Sequence, residues 1–348
     1  MKEKKYTIKD IAALAGVSKG TVDRVLHKRG KVSKKALDAI NNVLKEIDYQ
    51  PNLIARNLKN NKTYHICALI PDPNEDPYWQ YAVDGINDAI AEFKPLGVII
   101  QTFYFSPNST KSFLDVNKTI LELSPDAVLL APLFHKETLE VIDSYSSLNT
   151  IVSTFNNQIN STLVTSFVGQ DLYKSGRVAA KLMDMITPDT SKILIIHFDE
   201  NLNNASHMQE KEKGFRSYFE ELKTDQHEIT TYKIKESNFK KTISDLIDSS
   251  QITGVFVTTS KTYKVARSIK KSNATSIKLI GYDLLGENIT YLNQGVINFL
   301  INQNPKGQTY FSLEYLVEHF LFNKEIPNQK LLPIDVINSE NLDSYIDN

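Results

Sequence analysis

Cysteine occurs once in this 348-residue chain, at Cys67, which excludes a disulfide framework and any cysteine-based zinc site. Long hydrophobic runs are missing: no apolar stretch approaches the roughly 18 residues of a membrane-crossing helix. An excess of one charge is missing too, since 40 Lys and Arg face 41 Asp and Glu for a net −1. The first residues, Met1-Lys2-Glu3-Lys4-Lys5-Tyr6, lead into a polar segment with no apolar signal core. The expected location is therefore the cytoplasm, without membrane association. The seven histidines show no metal-ligand spacing, and no phosphate-loop glycine pattern is present. No cofactor is expected, and no catalytic constellation supports an enzyme.

The neutral total conceals an asymmetry. Residues 1–62 hold 12 Lys and 3 Arg against 4 Asp and 2 Glu, a net +9, and the other 286 residues carry −10. A basic head on an acidic body points to a polyanionic partner for the head alone.

The head reads as three helices. Thr7 is an N-cap with Asp10 three residues on, an imperfect capping box, and Ile8, Ile11, Ala12 and Ala15 form one apolar face. Gly16 stops that helix. Ser18 caps a second, from Lys19 to about Leu26, and Ser33 a third, with Leu37, Ile40, Leu44 and Ile47 inward. Two short helices joined by Gly16-Val17-Ser18 have the spacing of a helix-turn-helix. In a DNA major groove, Lys19, Thr21 and Arg24 would face base edges, with Gly20 offering backbone only. Thr7, Ser18 and Lys28 would meet phosphates. A protein-binding bundle with solvated lysines is the alternative. Gly16-Val17-Ser18-Lys19-Gly20 also matches a hydrolase nucleophile elbow, but that motif needs a strand before it, and here a helix precedes. Next, Pro51 ends one element and Asn52 caps a new helix of about seven residues, followed by the polar linker 59–63. A helix so short is marginal alone and needs a partner.

From Tyr64 onward, apolar runs at 65–70, 98–104, 127–131, 150–155, 193–198, 254–258 and 278–282 alternate with amphipathic segments near 81–93, 111–123, 137–147, 173–186, 208–222, 240–250 and 261–272. That rhythm predicts parallel sheets covered by helices, in two lobes, with ligands at the carboxyl ends of the strands. The residues there include Asp76, Tyr78 and the chain's single tryptophan, Trp79, in a Pro-rich loop, then Phe134 with His135, Asn156, and Asp283. Aromatic faces beside carboxylates suit a sugar. An ordinary surface loop packed on a helix is the alternative for Tyr78 and Trp79, and His135 reads as a rim residue.

Thr7-Ile8-Lys9-Asp10-Ile11-Ala12, Ala15-Gly16-Val17-Ser18, Thr21-Val22-Asp23-Arg24-Val25-Leu26 and Tyr49-x-Pro51-Asn52-x-x-Ala55-Arg56-x-Leu58 resemble the head and hinge of LacI-type bacterial transcriptional regulators. The resemblance implies a homodimer on near-palindromic double-stranded operator DNA. It implies a hinge helix in the minor groove that uses Asn52, Ala55, Arg56 and Leu58, with Leu58 as a wedge. Asp76-Pro77-Tyr78-Trp79, Lys211-x-x-Gly214-Phe215, Gly281-Tyr282-Asp283 and Ile301-x-Gln303-x-Pro305 make the body similar to a periplasmic sugar-binding fold. Carried over by position, Tyr78 and Trp79 stack on an effector, and Asp76, Asn156, Asp283 and Gln303 bind its hydroxyls. Phe134 and Lys211 take two further pocket positions.

The domain plan is a helix-turn-helix head at 1–51, hinge and linker at 52–63, and an effector-binding and dimerisation domain at 64–348. Lobe 1 comprises about 64–168 and 296–325, and lobe 2 about 169–295 and 326–348. The function expected is a DNA-binding regulator controlled by a small-molecule, sugar-type effector. A sugar-binding protein without a gene-regulatory role is the alternative that shares the body.

Overall fold

A computed structural model describes residues 6–26, 31–47, 63–198, 206–222, 227–235, 238–249 and 251–346. The chain divides into two compact units, Met1–Asn60 and Asn61–Asn348.

In the first unit, helix α1 (Ile8–Leu14) opens with a complete capping box. Thr7 Oγ1 accepts the Asp10 N–H at 3.3 Å, and the Asp10 carboxylate accepts the Thr7 N–H at 2.8 Å. Gly16 turns the chain at φ +65°, a conformation without steric cost for glycine. Ser18 Oγ then accepts the Thr21 N–H at 3.1 Å to start α2 (Lys19–Leu26), and Ser33 caps α3 (Lys34–Glu46). Ile11, Ala12, Val22 and Ile40 are buried at the centre. Leu37, expected inward, is 38% exposed. The seam of α3 runs instead through Ile40, Val43, Leu44 and Ile47, the same helical spacing begun one turn later. The hinge expected at 52–58 lies outside the described residues.

The second unit carries β1 (Tyr64–Pro71), α4 (Gln80–Phe93), β2 (Val98–Phe105), α5 (Thr110–Leu123), β3 (Ala127–Leu130), α6 (His135–Ser147), β4 (Ile151–Asn156) and β5 (Ser166–Gly169). The chain continues through α7 (Leu172–Ile186), β6 (Ser191–Phe198), α8 (Ser206–Leu222), β7 (His227–Ile234), α9 (Phe239–Ser249), β8 (Gly254–Val257), α10 (Thr262–Lys271), β9 (Lys278–Tyr282), α11 (Gly286–Asn293) and β10 (Phe299–Asn302). It ends with α12 (Pro305–Phe322), β11 (Gln329–Leu331) and β12 (Asp335–Ile337). Two six-stranded sheets result, ordered β11-β5-β4-β3-β1-β2 and β12-β10-β9-β8-β6-β7. All pairings are parallel except β10 with β12. Central strands such as β3 and β8 are buried throughout, as a sheet covered on both faces requires.

The expected crossovers near 295 and 325 shift. β10 belongs to the second sheet and β11 to the first, so the chain changes lobes after 302 and again after 331. Gln170 ties these passages together: its Nε2 donates to Asn302 O at 3.2 Å and to Pro333 O at 2.7 Å.

Helices α7 and α8 cross at two glycines. A Cβ on Gly176 would lie 1.9 Å from Lys211 O, and one on Gly214 would lie 1.9 Å from Tyr173 O. Both obstacles are backbone, so neither helix can yield without moving as a body. Gly176→Ala should cost about 3 kcal/mol, the upper end of overpacking. A urea unfolding midpoint equal to wild type would show that the crossing can accommodate a methyl group.

Candidate functional site

A cleft of about 190 Å3 opens between the two sheets. Its walls come mainly from the segments that follow the strand ends of both lobes, the arrangement expected of open parallel sheets. Asp76, Tyr78, Trp79, Phe134, Asn156, Lys211, Asp283 and Gln303 all line it. Eight residues spread over more than two hundred positions are thus brought together.

After β1, the Asp76 carboxylate accepts the Tyr78 N–H at 3.2 Å and caps the short 3-10 turn Pro77–Trp79. That turn drives both aromatics inward. Trp79 packs edge-on against Tyr78 and Phe155 and belongs to the core of the first lobe as well as to the cleft wall. Phe134, ahead of α6, likewise joins Phe105 and Phe113 in a buried aromatic group. His135 is exposed at the start of α6, off the cleft.

Two strand ends carry matching turns. Asn156 ends β4 at φ +68°, and Asp283 follows β9 at φ +65°, left-handed conformations that asparagine and aspartate tolerate best among residues with side chains. Asn156 Nδ2 donates to the Tyr78 hydroxyl, which leaves the Tyr78 O–H free to donate in turn. Burial, and then the charge of Asp283, hold the Tyr78 pKa well above its ordinary value, so it remains a neutral donor.

Asp283 is 2% exposed. Gln303 donates to it twice, from Nε2 at 2.9 Å and from its backbone N–H at 3.4 Å. Burial pushes the carboxyl up to about 6 and Asp76 adds to this, while Lys211 and the Gln303 hydrogen bonds pull the other way. Asn288 fixes the backbone behind it, its Nδ2 donating to the carbonyls of Ser260, Tyr282 and Asp283.

Lys211, 1% exposed, donates to Thr258 O at 3.0 Å and lies 3.7 Å from the Tyr282 ring centre, a cation–π contact. Behind it, His197 bridges Thr258 Oγ1 and Glu212 Oε2, at 2.7 Å each. Burial alone would raise the Glu212 pKa. Hydrogen bonds from His197, Thr231 and Arg216 outweigh it and hold the group down at about 2. This network, and the cleft residues Asn157, Thr258, Thr259 and Ser260, escaped the sequence reading. The four cleft residues follow strand ends, so the rule that found Asn156 and Asp283 also covered them, whereas His197 lies within β6 and Glu212 on α8 and gave no such signal.

On the head, Ser18, Lys19, Gly20 and Arg24 are exposed and Thr21 is half-buried. The hydroxyls expected at phosphates also serve as caps. Thr7 Oγ1 donates to Asp10 at 2.7 Å, and Ser18 Oγ lies 2.9 Å from Thr21 Oγ1. Lys28, Asn52, Ala55, Arg56 and Leu58 lie outside the described residues. Among the described residues no group of three His, Cys, Asp or Glu side chains could hold a metal ion. Nor is any helix among them long and apolar enough to cross a membrane.

Residues 7–52 match the lacI family of bacterial regulatory proteins, and residues 67–324 match the periplasmic binding protein domain. The NTD biosynthesis operon regulator NtdR of Bacillus subtilis is 41% identical over 99 residues, 28% of this chain and 30% of that protein. The ribose operon repressor of Lactococcus lactis is 26% identical, covering 80% of each chain. Among solved structures, a Bacteroides fragilis protein assigned as a LacI transcriptional regulator superposes with a TM-score of 0.77 at 26% identity, over 82% of this chain and all of that one. GanP, a glucose-galactose binding protein of Geobacillus stearothermophilus, shares the fold, with a TM-score of 0.70 at 21% identity over 81% of this chain and 99% of that one.

Proposed function

The chain belongs to the lacI family of bacterial regulatory proteins and carries a periplasmic binding protein domain, and from that premise we propose that its cleft takes a sugar-type effector through the eight residues named above. It is a DNA-binding transcription regulator controlled by a small molecule. The observation that carries the sugar reading is the cleft lining. Buried carboxylate, amide and phenol groups stand beside aromatic edges, so hydroxyls find partners while C–H faces find apolar surface. The names of the relatives agree, one being a ribose operon repressor and another a glucose-galactose binding protein.

In this reading the protein acts in the cytoplasm as a homodimer, and each head lays α2 in a major groove. The hinge at 52–58 transmits the effector's influence, because a ligand shifts DNA affinity only if it binds two arrangements of the body unequally. Three features support the plan: the +9 charge of residues 1–62, the exposure of Lys19 and Arg24, and the crossover segments held by Gln170.

The test is selection of the full chain against a random DNA library, followed by titration of D-ribose, D-arabinose, D-glucose, D-galactose and D-allose against the enriched site. One enriched near-palindrome and at least one sugar that changes its affinity are expected. No enrichment would sink the operator reading, and five inert sugars the sugar reading. On the enriched site, Arg24→Ala should cost about 1–3 kcal/mol and relax one base position. An unaltered sequence preference would remove Arg24 from base contact.

A further inference from the structure

The second lobe holds a closed ring of polar contacts. Lys211 and Glu212 are neighbours on α8, and successive residues leave a helix about 100° apart. Yet both return to Thr258. Lys211 does so directly, its Nζ donating to Thr258 O at 3.0 Å. Glu212 does so through His197, whose Nε2 lies 2.7 Å from Glu212 Oε2 and whose Nδ1 lies 2.7 Å from Thr258 Oγ1. Glu212 is held ionised and accepts only, which makes the His197 Nε2 the donor.

The ring is anchored on its far side. Arg216, one turn further along α8, donates from Nε to Glu212 Oε1 at 2.8 Å and from Nη2 to Thr231 Oγ1 on β7 at 2.6 Å. On its near side are Thr258 and Lys211, which line the cleft with Asp283. β8 lies between β6, which carries His197, and β9, which Asp283 follows. His197 is 3% exposed and stands behind that lining. A buried ion pair gains the fold little over apolar side chains of similar volume. What the ring supplies is geometry: α8 cannot turn about its axis, nor Thr258 shift, without breaking one of its bonds.

We propose that His197 is a positioning residue for the effector site: by holding Thr258 from behind, it fixes the Lys211 ammonium beside the Asp283 carboxylate. Lys211 draws the Asp283 pKa down against burial and Asp76, so a lysine released from Thr258 O lets it climb above about 6. The other ionisable groups around Asp283 are Asp76, Tyr78, Tyr81 and Tyr282, and His207 and Lys261 line the same cleft. None of these is altered in the variants below. The bearing on the effector rests on the carbohydrate reading and deepens it, whereas the effect on Asp283 needs no ligand.

The experiment follows the Asp283 carboxyl in the full chain without ligand, by carboxyl-carbon NMR of protein with labelled aspartate, its signal being the one that Asp283→Asn removes. Wild type should titrate with a midpoint near 6. His197→Leu should move the midpoint up by about half a pH unit, and Lys211→Met by about one. In the double variant it should stand where Lys211→Met alone puts it, because His197 acts through that lysine. Thr258→Val, which keeps the volume and the carbonyl but loses the hydroxyl, should move it in the same direction as His197→Leu, and serves where that variant does not fold. A His197 that merely filled space would lower the melting temperature and leave the midpoint alone. An unmoved midpoint in Lys211→Met, or in both His197→Leu and Thr258→Val, overturns the assignment. So do shifts that add in the double variant. Calorimetry with the five sugars named above forms the second arm: for the sugar that binds wild type, the midpoint of affinity against pH should rise in step with the carboxyl midpoint. An affinity midpoint that stays put while the carboxyl midpoint moves overturns the bearing on the effector. If none of the five sugars binds wild type, the carbohydrate reading fails, while the carboxyl titration still decides whether His197 positions Lys211.

Discussion

Raising the salt from about 50 to 200 mM is expected to loosen the protein's grip on its operator by about a thousandfold or more. The reason lies in where the charge sits. Residues 1–62 carry +9 and the rest of the chain −10, so nearly all attraction to phosphate must come through the head. Lys19 and Arg24 are exposed on α2, which starts directly after the glycine turn, so they are presented to a polyanion rather than to the fold. In the proposed homodimer the number of contacts doubles. Each neutralised phosphate releases condensed counterions, which gives a log–log slope of magnitude roughly 5–10. Fluorescence anisotropy with the selected site across that salt range measures the slope directly. A slope near zero would mean that the lysines of the head are only a solvated face.

The sites were more legible than some of the elements that carry them. Asp283 could be read because Gly281-Tyr282-Asp283 ends an apolar run, and a carboxylate just past a parallel strand faces the ligand crevice. β10 and α12 were missed for an opposite reason. Leu313, Leu316, Val317 and Leu321 are buried on α12, and Tyr310, Tyr315, Phe320 and Phe322 pack around them, so apolar residues occur on all sides and the helical period disappears. Without that helix the crossovers were placed several residues early. β7 was missed because it is an edge strand, and its sequence His-Glu-Ile-Thr-Thr-Tyr-Lys-Ile is too polar to stand out as an apolar run. Lys211 illustrates a deeper limit. A lysine on an amphipathic helix reads as solvent-facing, and only the resemblance placed it in the pocket. Its burial depends on Thr258 O, the Tyr282 ring and the glycine crossing at Gly176, partners far away in sequence.

Asp283→Asn is expected to change stability and ligand affinity in opposite directions. Burial, with Asp76 nearby, lifts the Asp283 carboxyl from 3.8 to about 6 in the folded protein. A carboxyl whose folded pKa is raised contributes stability that is complete below about pH 4 and is lost as pH rises through about 6. At pH 7.5 the wild-type fold therefore carries a burden of about 3 kcal/mol from keeping this group ionised. Asparagine cannot ionise, and Gln303 can turn its own amide to suit the new side chain. Without ligand, Asp283→Asn should thus melt several degrees above wild type at pH 7.5, and the advantage should vanish near pH 4. For the effector the sign reverses. A carboxylate accepts sugar hydroxyls through charge-assisted hydrogen bonds, roughly twice as strong as neutral ones. The substitution should weaken the sugar that binds wild type by about a hundredfold. The affinity of wild type should itself rise from pH 5 to pH 7 with a midpoint near 6, as the carboxyl loses its proton, while that of Asp283→Asn stays flat. Calorimetric titrations across this pH range decide the matter. Equal affinity of the two proteins, or a wild-type affinity indifferent to pH, would take Asp283 out of contact with the effector.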